Sequence, residues 1–265
     1  VKLRHDGGGN GAAEAGWPVD GPVIRMRGVH KRFGDQVVLD GVDFDVHQGE
    51  TLVILGPSGT GKSVLLRHIV GLTLPDFGSV RVLGRELVGL PRAELYPLRL
   101  RIGVLFQGAA LLDSMTVRDN IVLGLRTHFE YGEAELRRIA AEKLEQVGLP
   151  GIGDQMPAEL SGGMRKRVGL ARAIAMDPSI ILYDEPTTGL DPIMSAVIDE
   201  LILAQARRPG VTSVIVTHDM RSAYHLGTRF LLLQRGRIRF DGDAEALRSS
   251  PDPLVQGFIS GRAEA

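Results

Sequence analysis

Eight consecutive residues, Gly56-Pro57-Ser58-Gly59-Thr60-Gly61-Lys62-Ser63, fit the spacing G-x-x-x-x-G-K-[ST] without deviation. Glycine backbone lets the N–H groups of Gly59, Gly61 and Lys62 turn inward around a phosphate. A helix starting there adds roughly half a unit of positive charge at its N-terminus. The Lys62 ammonium reaches the outer phosphates of a nucleotide, and the Ser63 hydroxyl suits Mg²⁺. On its own this loop fits a kinase, a GTPase or an ATPase equally well.

Further polar residues stand where such a loop would need them. In "IILYDEP", Asp184 and Glu185 end an apolar run. In an open parallel sheet that end faces the ligand crevice. A carboxylate there suits Mg²⁺ through water, and its neighbour can polarise an attacking water. Gln107 follows "GVLF", His218 follows "VIVT", and Asp191 lies in "TTGLD". Each is weak singly and gains weight from its position beside the loop. A second glycine pair, in "LSGGMRKRVGLARA", opens another helix with Ser161, Gly162 and Gly163. It is a second anion site in a chain whose one nucleotide needs only one cradle. The following Arg165, Lys166 and Arg167 read as a solvated helix face, with direct phosphate contact as the alternative.

Those residues need a scaffold of alternating strands and helices. "VIRMRGVHKRF" and "QVVLDGVDFDVHQGE" alternate apolar and polar like strands, and "TLVILG" is a buried parallel one. The helix "GKSVLLRHIVG" follows, then a hairpin in "GSVRVLGREL" and a strand in "RIGVLFQ". Residues 108–178 change to helical period in "VRDNIVLGL", "EAELRRIAAEKLEQVGL" and "GGMRKRVGLARAIAMD". Strands return in "SIILYDEP", "TSVIVTHD" and "RFLLLQRGRIRFDG", with the helix "IMSAVIDELILAQAR" after the first. A helical lobe is thus inserted into an α/β core. The last stretch reads as a helix plus a tail.

Composition narrows the setting. Net charge is −1, which lacks the basic excess of a nucleic-acid binder. There is no cysteine, so neither disulfides nor thiolate metal sites are available. Runs such as "IVLGL" and "FLLL" fall well short of the roughly 18 apolar residues of a membrane span. Residues 1–22 lack an apolar signal core and read as a disordered tail.

Taken in order, "GPSGTGKS", Gln107, "LSGGM", "ILYDEP", "TGLD" and His218 resemble the ATP-binding subunits of ATP-binding cassette (ABC) transporters, over residues 23 to about 245. The resemblance implies an α/β P-loop NTPase core, a mostly parallel central sheet plus an antiparallel β-subdomain, with an inserted α-helical lobe. It divides the chain into a core of residues 23–107 and 179–245, a helical lobe of 108–178, and a C-terminal tail of 246–265. It also implies two copies packed head to tail, so that Ser161 and Gly163 of one contact the γ-phosphate held by Lys62 of the other. The second glycine pair then serves the partner's ATP. The ATP-binding set is Phe33, Gly56, Pro57, Ser58, Gly59, Thr60, Gly61, Lys62, Ser63, Val64, Gln107, Ser161, Gly162, Gly163 and Asp191. Phe33 matches the aromatic that stacks on adenine, and Asp191 the residue that aligns the subunits. Glu185 would activate water, His218 would hold the γ-phosphate, and Ser63, Gln107 and Asp184 would serve Mg²⁺. Met164 stands where the family most often has Gln, at little cost, since backbone N–H groups and Ser161 make the contact.

Within the family, "VLFQGAALLDSMTVRDNIVLGLR", "LSGGMRKRVGLARAIAMDPSIILYDEPTTGLDPI" and "DPLVQGFISGRAE" resemble the Mla/Mkl ATPases of MCE-protein phospholipid transporters. That implies integral permease subunits, an MCE-domain lipid-binding partner, and a peripheral place on the cytoplasmic face of the inner membrane. "Leu111-Leu112-Asp113" departs from that subfamily's usual Phe after Ala-Leu, in the lobe expected to receive the permease. Polar amino-acid importers carry close variants of these motifs and form an alternative. A soluble ABC ATPase fits less well, since those usually have two cassettes or a long coiled-coil insert. A non-catalytic regulator would lack Glu185 or His218, and both are present.

Overall fold

A computed structural model describes residues 21–261; the expected N-terminal tail lies, through residue 20, outside the described residues, as do 262–265. The chain divides into two compact units, one of residues 100–201 and the other of residues 21–99 with 202–261.

In the second of these, β1 (Ile24–Phe33) and β2 (Gln36–Val46) form an antiparallel hairpin that turns tightly between Phe33 and Gln36. Gly34 supplies the positive φ that this two-residue turn requires. β4 (Phe77–Val82) pairs with β1, and β5 (Arg85–Glu86) with β4, giving an antiparallel sheet of order β2-β1-β4-β5. β3 (Thr51–Leu55) lies parallel to both β8 (Thr212–Thr217) and β9 (Arg229–Gln234), in register Leu52 with Val214 and Arg229. All five β3 residues are buried, as an apolar strand flanked by parallel neighbours must be. β10 (Arg237–Gly242) returns antiparallel on β9. The helix α1 (Lys62–Ile69) follows β3 and buries Leu65, Leu66 and Ile69.

Helices that the periodicity did not announce complete this unit. α2 (Arg92–Arg99) carries Pro97 inside it, and α7 (Met220–Leu226) is only seven residues long, capped by Asp219. The C-terminal stretch holds two short helices where a helix plus a tail was expected, α8 (Ala244–Arg248) and α9 (Pro253–Ile259). Asp243 and Asp252 cap them. Each aspartate accepts a bond from a first-turn N–H, which lets so short a helix start.

In the unit of residues 100–201, β6 (Ile102–Leu105) and β7 (Ile180–Asp184) pair in parallel, Ile102 opposite Ile180. Between them run α3 (Val117–His128), α4 (Glu133–Gln146) and α5 (Gly162–Ala173). Thr116 caps α3 by accepting from Asp119 N at 3.1 Å, and Val117, Ile121, Val122 and Leu125 form its buried stripe. Gly103 has no room for a side chain: a Cβ there would sit 2.3 Å from the Ala173 carbonyl oxygen, so β6 and the end of α5 meet backbone to backbone. α6 (Pro192–Ala206) carries the chain out of this unit.

Candidate functional site

In the unit of residues 21–99 and 202–261, the phosphate loop leaves β3 at Gly56. Its φ is 152°, and a Cβ would meet the Leu233 carbonyl oxygen at 2.3 Å, so no other residue fits. Gly61 is left-handed, with φ 100°, at the start of α1. No side chain caps that helix and no acid lies in its first turn. Its leading N–H groups and dipole are therefore set for an anion. Lys62 is buried, its Nζ donating to the carbonyls of Gly56 at 2.7 Å and Pro57 at 3.0 Å. The Thr60 hydroxyl donates to Pro57 O at 2.9 Å, closing the loop on itself. Phe33 ends β1 with 48% of its surface exposed, and Lys31 Nζ stands 5.4 Å from its ring centroid. His218 is exposed just beyond β8. There Asp219 N donates to Thr217 Oγ1 and Asp219 Oδ1 accepts from Arg221 N at the start of α7.

The unit of residues 100–201 gathers the other candidates. Ser161 caps α5, its Oγ accepting from Met164 N at 3.2 Å. It leads into exposed Gly162 and buried Gly163 with no acid in the first turn. Asp184 ends β7, and Glu185 follows it with φ 48°, left-handed for a residue that has a Cβ, and 7% exposed. Thr188 Oγ1 donates to Glu185 Oε2 at 3.1 Å. Gln107 lies exposed in the loop after β6. In that loop Ala109 and Ala110 are both left-handed, and Arg172 of α5 donates to their carbonyls at 2.6 and 2.7 Å. Asp191 caps α6, Oδ1 accepting from Ile193 N at 2.9 Å and Met194 N at 3.0 Å.

The solvated helix face expected of Arg165, Lys166 and Arg167 is corrected by the structure: only Arg165 is exposed. Lys166 is buried and donates to the carbonyls of Glu185 at 3.1 Å and Pro186 at 2.7 Å. Burial pushes its ammonium down to about 8, against the pull of the Glu185 carboxylate toward the charged form. Arg167 is half-buried and donates to Gly148 O at 3.2 Å. The signal was in the phase. Gly163, Lys166, Leu170 and Ala173 are spaced to share one face of α5, and all four are buried.

Two other features were not anticipated. Asn120 is fully buried on α3; its Oδ1 accepts from Leu112 N at 2.8 Å, and its Nδ2 donates to Leu112 O at 3.1 Å. An open cavity of about 370 Å³ is lined by Ile102, Val104, Phe106, Leu112, Leu123 and Met176, among others. No three His, Cys, Asp or Glu side chains cluster to hold a metal among the described residues. The donors expected for Mg²⁺, a hydroxyl, an amide and one carboxylate, are all oxygen. That chemistry fits a hard cation which keeps water and phosphate as its remaining ligands.

The phosphate loop between a buried parallel strand and a helix defines a P-loop nucleotide-binding protein, and the ABC transporter family model matches residues 39–188, so the chain belongs to that family. The chain is a P-loop ATPase of that family. Its relatives include the probable ribonucleotide transport ATP-binding protein mkl of Mycobacterium leprae, 43% identical, over 91% of this chain and 70% of that one. The intermembrane phospholipid transport system ATP-binding protein MlaF of Escherichia coli K12 is 39% identical, over 91% and 90%. These bear out the likeness to the Mla/Mkl group. Among solved structures, a dimeric post-hydrolysis state of the cassette MJ0796 bound to ADP and Pi matches with a TM-score of 0.77 and 32% identity. It covers 83% of this chain and 98% of that one.

Proposed function

We propose that this ATPase drives phospholipid transport as a head-to-tail homodimer. Each ATP is then held by residues 56–63 of one copy and by Ser161, Gly162 and Gly163 of the other. The observation that carries the reading is the pair of anion-ready helix starts, at Gly61 and at Ser161, with no acid in either first turn. The dimeric, ADP- and Pi-bound relative supports it.

In this reading Phe33 stacks on the adenine and Lys62 leaves its loop carbonyls for the outer phosphates. Glu185 takes the proton of the attacking water, His218 holds the γ-phosphate, and Asp191 aligns the copies. Ser63, Gln107 and Asp184 would hold Mg²⁺, which when bound neutralises phosphate charge. The ATPase domain runs over residues 23–245. Lipid cargo is carried over from the name of MlaF and from the motifs shared with that group.

No helix among the described residues is long and apolar enough to cross a membrane. In this reading the chain reaches the cytoplasmic face of the inner membrane through a permease, as the likeness to MlaF suggests, and the permease's helix would seat in the cavity beside Phe106 and Leu112. An MCE-domain protein completes the assembly. The test is purification of the tagged full chain from membranes, identifying the integral partner and bound lipid. A permease with an MCE protein and phospholipid is expected; a partner that carries nucleotides or amino acids refutes the cargo. Lys62→Ala should abolish ATP binding, and retained binding would refute the site.

A further inference from the structure

Lys166 is the buried cation of α5 that the proposed chemistry does not use. Its helix face is otherwise made of Gly163, Leu170 and Ala173, where an apolar side chain would fill the space without desolvating a charge. The ammonium instead reaches two successive carbonyls, those of Glu185 and Pro186. Glu185 needs such support. It holds φ 48° and precedes a proline, which restricts its backbone further. Strained conformations of this kind persist where neighbouring groups over-determine them. Thr188 fixes the carboxylate end of the residue, and Lys166 fixes its peptide.

We infer that Lys166 is a positioning residue for hydrolysis: its ammonium, bonded to the carbonyls of Glu185 and Pro186, aims the Glu185 carboxylate at the attacking water. The inference rests on the proposed role of Glu185 and adds to it a residue that touches neither nucleotide nor water. Lys166 also belongs to the helix that Ser161 opens, so the aim of Glu185 depends on where that helix lies.

The experiment is single-turnover hydrolysis of Mg-ATP by the full chain, with equilibrium ATP binding and thermal unfolding measured alongside. Lys166→Met should lower the rate about 10²-fold, the scale of a misplaced reacting group. ATP affinity should stay within about twofold of the parent. Lys166→Arg, which keeps two donors, should recover most of the rate. In a Glu185→Gln background Lys166→Met should add no further loss, since both act through one carboxylate. A parental rate in Lys166→Met beside a slow Glu185→Gln overturns the inference and leaves the role of Glu185 standing. An equal loss from Lys166→Met in both backgrounds overturns it as well. A parental rate in Glu185→Gln sinks the proposed role of Glu185 instead. Where the methionine variant does not fold, Lys166→Leu, which likewise has no donor for the two carbonyls, decides: a lower rate at unaltered ATP affinity carries the inference, and a parental rate overturns it.

Discussion

Replacing Asn120 by alanine removes a side chain that ties the segment before α3 to the helix. The amide accepts from Leu112 N at 2.8 Å and donates to the carbonyls of Leu112, Met115 and Thr116 at 3.0–3.2 Å. Each such bond contributes about 1 kcal/mol net, and a buried group left without a partner costs about 1–3 kcal/mol. Leu112 is 42% exposed, so water replaces part of what its backbone loses. The expected cost is therefore about 2–3 kcal/mol, a large share of the roughly 5–15 kcal/mol that holds a domain together. At about 2–4 °C per kcal/mol for a chain of this size, Tm should fall by roughly 4–12 °C. Asn120→Asp should be worse, because a buried carboxylate cannot donate and faces three carbonyl oxygens. Thermal unfolding gives the order of the variants. Hydrogen exchange at the Leu112 amide, faster in Asn120→Ala, locates the loss. An unaltered Leu112 exchange rate, or an aspartate variant as stable as the parent, would refute the reasoning. Since Leu112 lines the cavity proposed for the permease, the same variant should lose stimulation by that partner while keeping its own hydrolysis.

The other expectations concern nucleotide and pH. Glu185→Gln should keep ATP binding and slow turnover by about 10²-fold or more. An ATP-bound dimer should then accumulate on light scattering; a parental rate would remove Glu185 from the chemistry. Phe33→Ala should weaken ATP binding by about 1–3 kcal/mol, the worth of stacking one base, and leave tripolyphosphate binding unaltered. Equal losses for both ligands would show that the ring does not meet adenine. The hydrogen bond from the Thr116 hydroxyl, helped by Arg126 and opposed by burial, holds the Asp119 carboxyl below its ordinary 3.8. The unfolded chain therefore takes up that proton first. This contribution is present above the unfolded value and is lost as pH falls through the folded one. Urea midpoints followed into that acid range should fall less steeply for Asp119→Asn than for the parent, and identical slopes would refute the assignment.

Much of this was legible because a few residues admit little choice. "TLVIL" is too apolar to be anything but a buried strand here, and "GPSGTGKS" dictates both the turn and the helix after it. Short elements were hidden. Pro97 masks α2, and α7 offers only two turns of pattern behind its Asp219 cap. Lys166 departs from the expected solvated face because three adjacent cations suggest solvent, whereas a helix turns each of them in a different direction. The clamp of Arg172 on the Ala109 and Ala110 carbonyls had no sequence signal, since it joins a helix end to left-handed alanines more than sixty residues away.

α5 acts as a beam with three attachments. Its leading end is capped by Ser161, its flank grips the peptide of Glu185 through Lys166, and its trailing turn grips the loop after Gln107 through Arg172. A rigid rod fastened in this way cannot tilt at one end without dragging the loops fastened farther along. In the proposed dimer, pressure from a membrane partner on the Gln107 loop and seating of the neighbour's phosphate on Ser161 load the same piece of backbone. The two copies would then fire together or stall together, with this helix as the shared mechanical element.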